Sequence, residues 1–458
     1  MTKKTRLIIL LVCVVCFLII TPILILYSMG ERFDFAKMQT TSTGGIYVKT
    51  FPVADQITVD SKVKEKPGLF STSVFVQSLL PKNHTVLIQK NGYYDYSKTL
   101  PVQEKQVTKL ENVLLIKNNL SFSKLADKIN YFSIAPNNQN IVTITSNPKS
   151  IVFNYSSITA ISQPQTFSIN QIISPTQTGK VLGLKWSDDS TKLLIAVNNQ
   201  AKISYYLFDT AIKNSTAVKL SYLDANTLRI SFNPQNSQQL FFIENGSLYS
   251  EQLGKATLII KNVAAYKVSG NNIIWLGSSG LLYNSDLSGK LVDQLTIKNI
   301  TISATQEPRI FVLAGKTFLQ ANSALFLLSQ NIKTLIDVTP PETNYQFLSS
   351  PDNQNLIFWN SGKIYLYSFV DQKYVQLYSG ANITDCQWLN NSYIVFTAGP
   401  ASPSQSGDKI IISEIDYRGN INAVTLHQTA NKIFFNQQDG KLYILTANTL
   451  VSSEKITQ

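Results

Sequence analysis

Among its 458 residues the chain has only 2 His, 3 Cys and 3 Met, and 15% of it is charged. His84 and His427 stand 343 positions apart, so a His-rich metal site or a His-dependent nucleophile has little to draw on. Three cysteines exclude a disulfide-stapled scaffold, and two of them, Cys13 and Cys16, fall inside an apolar run. No G-x-x-x-x-G-K, no G-x-G-x-x-G after a strand pattern, no H-E-x-x-H and no G-x-S-x-G is present. Runs of Lys and Arg are missing too, which argues against nucleic acid as a partner. The net charge of +12 comes from 40 Lys+Arg against 28 Asp+Glu and divides into +3 for residues 1–29, +4 for 30–122 and +5 for 123–458. That spread implies a diffuse basic surface with weak, salt-screened attraction for anionic envelope polymers or lipid head groups. What is abundant is apolar sequence: 44% of the chain is hydrophobic, enough to fill the cores of roughly two to four domains and too much for a disordered chain.

The longest apolar run is Leu7 to Tyr27, 21 residues without a charge, preceded by Lys3, Lys4 and Arg6. As a helix rising ~1.5 Å per residue it spans the hydrocarbon layer of a bilayer. Basic residues stand on its N-terminal side, while Glu31, Arg32, Asp34 and Lys37 cancel on the other. The expectation is a single-pass anchor with a cytoplasmic N-terminus and the bulk of the chain extracytoplasmic. Ser28-Met29-Gly30 leaves a cleaved signal peptide as the rival, although the run exceeds the ~7–15 apolar residues usual for one. Residues 1–29 are read as tip and anchor, 30–44 as a juxtamembrane linker.

Period-2 alternation marks the next stretch. Ile46 and Val48, Ile57 and Val59, Val74 and Val76, and Val86 and Ile88 each place two apolar side chains on one strand face. Turn-rich segments separate them, among them Asp60-Ser61-Lys62 and Lys90-Asn91-Gly92-Tyr93, and Asn91-Gly92 is the pair favoured where both turn residues need positive φ. Short strands without a helical period predict a small β-sandwich over 45–117. The run GGIYVKTFPVADQITVDSK, then LLPKNHTVLIQKNGYYDY, resembles a PEGA domain, matching at Pro52, Pro81, His84, Lys90, Gly92 and Tyr93. The signature tetrapeptide is altered to Pro52-Val53-Ala54-Asp55, and Asn83 stands before His84 where Gly is usual. The resemblance implies a spacer or adhesion module of a surface protein, with His84 a strand or turn residue and no metal ligand.

From 118 to 458 a unit recurs in which a polar turn is followed by an apolar strand. Its copies are FSIAPNNQNIVTIT at 132, LKWSDDSTKLLIAV at 184, ISFNPQNSQQLFFIENGSLYS at 230, YKVSGNNIIWLGSSGLLYNS at 266, EPRIFVLAGKTFLQ at 307, FLSSPDNQNLIFWNSGKIYLYS at 347, CQWLNNSYIVFTAG at 386 and NKIFFNQQDGKLYILT at 431. Ile141 to Ile433 covers 292 residues in seven steps, about 42 per step and the blade length of a propeller. The copies, Trp186-Ser187-Asp188-Asp189 and Ser350-Pro351-Asp352-Asn353 above all, resemble blades of TolB-type and WD-like β-propellers. Eight units favour eight blades; seven remain if the divergent unit at 307 is not one. The fold class is therefore all-β: a transmembrane helix, a PEGA-like sandwich and a seven- or eight-bladed propeller.

Two insertions interrupt the period, a Ser/Thr/Gln-rich stretch at about 146–180 and Ala398–Asp408. Asp188 and Asp189 sit in a blade turn, where a structural role outweighs paired-carboxylate or calcium chemistry. Cys386 alternates with Trp388 on one strand face and reads as a buried small hydrophobe. The abundant Tyr and Phe, 21 and 23, recur in blade strands and read as packing between blades. The Ser-x-Asp-x-Gly-x-Thr-Trp box of sialidase-type propellers is absent. The sequence thus names no catalytic, cofactor-binding or metal-ligating residue, expects no cofactor and leaves the binding residues open. The function expected is a non-enzymatic, membrane-anchored envelope protein whose propeller binds a protein or a glycan. Its alternatives are a propeller enzyme acting on envelope polysaccharide, which needs Asp, Glu, Arg and Tyr converging at one end of the channel, and a TolB-like component of an envelope complex.

Overall fold

The computed structural model describes residues 3–28, 30–34, 39–68, 71–146, 150–170, 180–199, 202–303, 307–340, 345–399 and 407–457. One helix, Lys3–Ser28, contains Pro22; its segment Lys4–Ile25 is long and apolar enough to cross a membrane and is packed against nothing. The stretch expected to be a linker instead pairs β1 (Glu31–Asp34) with β2 (Gln39–Ser42), and Arg32 folds back to donate to Tyr27 O at 3.0 Å.

Seven strands follow: β3 (Gly44–Phe51), β4 (Gln56–Val59), β5 (Val63–Glu65), β6 (Ser73–Leu79), β7 (Asn83–Gln89), β8 (Tyr96–Pro101) and β9 (Val107–Leu114). They form two facing sheets, ordered β5-β4-β7-β8 and β6-β3-β9. The alternating pairs Ile46/Val48, Ile57/Val59, Val74/Val76 and Val86/Ile88 all point into one core between them. Gly44 opens β3 because a Cβ there would come within 2.3 Å of Gln103 O. The expected two-residue turn of positive φ is displaced. Of Asn91 and Gly92 only Gly92 takes positive φ, at 79°, whereas Asp60 and Ser61 both do, at 50° and 59°. The reason lies in Asp55 and Asp60. Asp55 accepts from Asn91 N at 2.9 Å and fixes that turn from outside. Asp60 tolerates the left-handed region and caps the neighbouring strand through Thr85 N at 3.0 Å.

Beyond β10 (Phe122–Ala126) come eight four-stranded antiparallel sheets, numbered 1 to 8 in chain order. Each repeated unit supplies the first hairpin of one sheet, the divergent unit at 307 included: its strands Arg309–Leu313 and Lys316–Ala321 are the first two of sheet 5. Second strands such as Asn355–Trp359 read as unbroken apolar runs because both faces are covered. Leu356 and Phe358 pack toward sheet 5, while Ile357 and Trp359 pack toward sheet 7. A hydrophobic cluster of this kind lies between every pair of consecutive sheets, and the last, with Tyr443 and Leu445 against Phe132 and Ile141, joins sheet 8 to sheet 1. The ring is therefore closed. The expected aromatic packing is present at these junctions, as where Phe167 stacks on Phe208 at 4.1 Å between sheets 1 and 2. Truncating such a ring to Ala costs about 3–5 kcal/mol. The fourth strand of sheet 8 is β10, which pairs with Thr449–Ser453 and so ties the start of the ring to its end. Much of the supposed first insertion is ordinary sheet, since Ser150–Ser157 and Gln165–Asn170 are the outer strands of sheet 1. Their polar alternation hides a face that includes Phe153 and Phe167. Residues 147–149 and 171–179 of that stretch, and 400–406 of the second insertion, lie outside the described residues.

Candidate functional site

In an antiparallel meander the start of strand one, the end of two, the start of three and the end of four share one end. The ring therefore has two ends, and they differ in chemistry. One, the near end, carries the sandwich. Lys98 of β8 is wholly buried and donates to Glu414 Oε1 at 2.6 Å, Asp416 O at 2.7 Å and Asn420 O at 2.9 Å, so each ammonium hydrogen has an acceptor. Glu414, also buried, accepts from Tyr96 Oη at 2.7 Å and from Asn422 N at 2.8 Å. Burial and the Glu414 charge push the Tyr96 phenol far up, keeping it a donor. Arg418 grips Asp416 with Nε and Nη2 at 3.0 and 2.8 Å and also donates to Lys109 O at 2.8 Å. Farther along, Tyr393 Oη accepts from Leu114 N at 3.0 Å, and Lys117 pairs with Glu454 of sheet 8. A cleft of about 330 Å³ lies at this joint, lined by Tyr96, Glu111, Asp371, Tyr393 and Arg418.

At the far end the first strands begin. Contacts run between them along their whole length: Lys432 Nζ donates to Tyr131 Oη at 2.7 Å and Tyr266 Oη to Arg229 O at 2.5 Å toward the far end, and Lys185 Nζ to Ile230 O at 2.8 Å and Trp186 Nε1 to Ser133 Oγ at 3.0 Å farther toward the near end. These strands line the axis. Their charged residues are Lys180, Lys185, Arg229, Lys267, Arg309 and Lys432 against Asp385 alone, a balance of +5. Elsewhere in 123–458 the other 19 Lys+Arg are matched by 19 Asp+Glu, so most basic residues are spread as expected, and the unmatched ones lie on these strands. Burial pulls Lys185 down to about 8, with repulsion from Lys267 adding and Asp188 opposing. Its surface nonetheless remains exposed. Burial lowers Arg229 as well, Glu307 opposing and Arg309 adding, while burial raises Asp385.

Bulges re-aim side chains at this end. They fall at Val181/Gly183, Leu228/Ser231, Val263/Ala265 and Ile383/Asp385 in the first strands of sheets 2, 3, 4 and 7. In the second of these Arg229 has φ of 55°, a left-handed conformation that costs a non-glycine residue roughly 1–2 kcal/mol. The Tyr266 hydroxyl holds its carbonyl, and its guanidinium meets Glu307 Oε2 at 3.1 Å. The side chains of Arg309 and Lys267 have no hydrogen-bond or ion-pair partner among the described residues. Two clefts of about 450 Å³ each open here, one lined by Glu307, Arg309, Asn322, Tyr345 and Gln346, the other by Tyr131, Ile144, Lys180, Leu182 and Gly183. Tyr131, Leu182 and Leu228 are 40%, 48% and 42% exposed.

The residues singled out from the sequence fall elsewhere. His84 is buried at the start of β7, its Nδ1 2.7 Å from Asp60 Oδ2 and its Nε2 2.7 Å from Leu80 O, a turn-fixing role. His427 lies 3.5 Å from Tyr94 Oη at the joint. Asp189 accepts from Ser187 Oγ at 2.6 Å and Thr191 N at 3.0 Å. Burial raises this carboxyl, but those hydrogen bonds prevail and bring it down to about 2. Cys386 is fully buried in the cluster that holds Trp388. No group of three or more His, Cys, Asp or Glu able to hold a metal occurs among the described residues. The axial cations were missed, although a signal was there: Lys or Arg recurs in the first apolar stretch of four units, at Lys185, Lys267, Arg309 and Lys432, and immediately before that of a fifth, at Arg229.

Residues 43–118 match the PEGA domain family. Among curated proteins none matches the chain. The crystal structure of the C-terminal WD40 domain of Sif2 is similar in fold, with a TM-score of 0.50 and 11% identity over 74% of this chain and 99% of that one. The computationally designed Ika8 protein aligns with a TM-score of 0.45 and 12% identity over 73% and 98% of the two chains. The molecule thus joins an apolar N-terminal helix and a PEGA domain to a WD40-like β-propeller.

Proposed function

We propose that this protein is a membrane-anchored interaction scaffold. In this reading the N-terminal helix crosses the membrane with its N-terminus in the cytoplasm, the PEGA domain is the extracytoplasmic spacer, and the far end of the propeller engages a partner. The observation that carries it is the contrast between ends: the near end is occupied by Lys98, Glu414 and their satisfied partners, whereas the far end offers unpaired cations beside exposed Leu182, Leu228 and Tyr131. Arg and aromatic groups next to apolar ones are what protein interfaces use as anchors. The test is photo-crosslinking in native membranes. A photoreactive residue placed at Leu182 or Leu228 captures a partner, and one placed at Val370, more exposed than either but at the near end, does not. Equal capture from both ends, or from neither, sinks the reading. For the anchor, N-terminal sequencing of the mature protein decides, since loss of Leu7–Tyr27 would leave no span.

One observation favours an enzyme acting on envelope polysaccharide as the second reading. Arg229, Glu307, Arg309 and Tyr345 gather at one channel end, the residue types that reading needs. Against it, Glu307 is ion-paired and largely exposed, and no second carboxylate lines its cleft among the described residues, whereas glycoside hydrolysis generally uses two. Turnover of envelope glycans by the full chain, abolished in Glu307→Gln, would establish it.

A further inference from the structure

We propose that the far end of the axial channel is a binding site for an acidic peptide segment, one bearing several Asp or Glu side chains interspersed with apolar ones. The inference rests on the scaffold reading and names its partner class. Three features converge on it. First, the eight strands around the axis carry six Lys or Arg against Asp385, whereas the rest of 123–458 is balanced at 19 Lys+Arg to 19 Asp+Glu, and a passage lined mainly by one sign of charge focuses its field on counter-charged ligands. Second, these cations are crowded against one another and only partly answered: Arg229 and Arg309 repel, Lys185 and Lys267 repel, and Glu307 reaches Arg229 alone. Carboxylates entering the channel would replace that repulsion with charge-assisted hydrogen bonds. Third, Arg229 is held at positive φ in a bulge where Gly would fit without strain. Strained residues maintained by their surroundings concentrate at functional sites. Within the ring itself an Arg is not needed there, since Tyr266 bonds the residue's carbonyl and would do so for any side chain.

The apolar rim decides between polyanions. Leu182 and Leu228 begin neighbouring sheets, with Tyr131 next to them in sheet 1, and all three are accessible. A sulfated, phosphorylated or uronic-acid polymer has only the C–H faces of its rings to place against leucine, whereas an acidic peptide brings whole aliphatic side chains at the same spacing as its carboxylates.

The test uses the full chain in detergent micelles and a fluorescein-labelled peptide of alternating Glu and Leu pairs, read by anisotropy at low and physiological salt. Its Lys/Leu counterpart and polygalacturonate serve as comparison probes. The variant Arg229→Gly/Lys267→Gln/Arg309→Gln removes three axial charges. Lys213→Gln/Lys219→Gln/Lys255→Gln removes three exposed charges from the outer parts of sheets 2 and 3 and leaves the axis intact. The expected result is at least about a ten-fold loss of Glu/Leu affinity in the axial variant, a change within about two-fold in the outer one, and no binding of the Lys/Leu peptide. Equal losses in the two variants would mean diffuse attraction and overturn the proposal. So would tighter binding of polygalacturonate, which would transfer the site to a glycan, or absence of binding to the wild type. Native-membrane crosslinks that persist unchanged in the axial variant would overturn the acidic-peptide site while leaving the scaffold reading intact. Unaltered thermal unfolding of each variant excludes misfolding as the cause of any loss.

Discussion

The two ends of the propeller are built from the same repeated strands yet resolve charge in opposite ways. At the near end a lysine and a glutamate are removed from water together, and every donor on Lys98 finds an acceptor in the facing domain. Along the axis and toward the far end cations stay accessible to solvent and repel one another. The first arrangement fixes one domain on another. The second keeps interaction capacity in reserve. An ion pair buried with complete hydrogen bonding gives position, whereas one left incomplete and wet gives affinity for something else.

The difference can be broken most forcefully at Lys98. Lys98→Ala leaves the Glu414 carboxylate buried without its cation, and a stability loss of about 3–5 kcal/mol by denaturant unfolding is expected, with Lys98→Met/Glu414→Leu recovering much of it. Stability indifferent to Lys98→Ala would mean the joint is not fixed there. The far end should respond in the opposite direction. Arg229→Gly relieves a left-handed residue, so stability should hold or rise by up to about 1 kcal/mol even as the site is lost. A large destabilisation would make Arg229 a structural residue after all. Next in size is the blade-turn carboxylate, which lies in the connection from the first to the second strand of sheet 2 at the near end. Asp189→Ala should cost about 1 kcal/mol after allowance for its exposure. Because the folded-state value of Asp189 is depressed to about 2, its contribution is complete above the ordinary carboxyl range and is lost as pH falls toward 2. The acid arm of a stability–pH profile should therefore flatten in the variant. The smallest effect concerns Lys185, which faces Lys267 across the channel and Asp188 on its own connection. Held down to about 8, it is charged below that pH, so Glu/Leu peptide affinity should weaken by about two- to three-fold from pH 7 to 9. Lys185→Gln should remove that slope.

How much of this could be read in the sequence depended on range. The eight units were legible because each encodes a local object, a turn with an apolar strand on either side, and repetition multiplied a weak signal. Leu356-Ile357-Phe358-Trp359 and its counterparts announce burial on both faces without any partner being known. The sandwich pairs were legible for the same reason of period. The outer strands of sheet 1 were not, since Ser150–Ser157 and Gln165–Asn170 carry mostly polar residues and show their apolar face only once sheet 2 covers it. The turn at Asp60-Ser61 was legible but its positive φ was not, because what favours that conformation is the nearby Thr85 amide and His84 ring, neither of them adjacent in sequence. Lys98 and Glu414, 316 positions apart, leave no local trace at all. The axial cations were visible one by one and became a site only when eight strands were brought around one axis.

The pairing of β10 with Thr449–Ser453 has a consequence for the order in which the molecule is made. A chain emerging N-terminus first exposes β10 as an unpaired edge until the last sheet has been synthesised, and no earlier strand fills its place. Sheets 1 to 7 can collapse against one another during that interval, but the ring stays open, and an open edge invites pairing with another chain. The contacts that fix the sandwich on the ring, to Tyr393, Glu414 and Glu454, also reach only late parts of the chain, so closure of the ring and docking of the sandwich both wait for sheets 7 and 8.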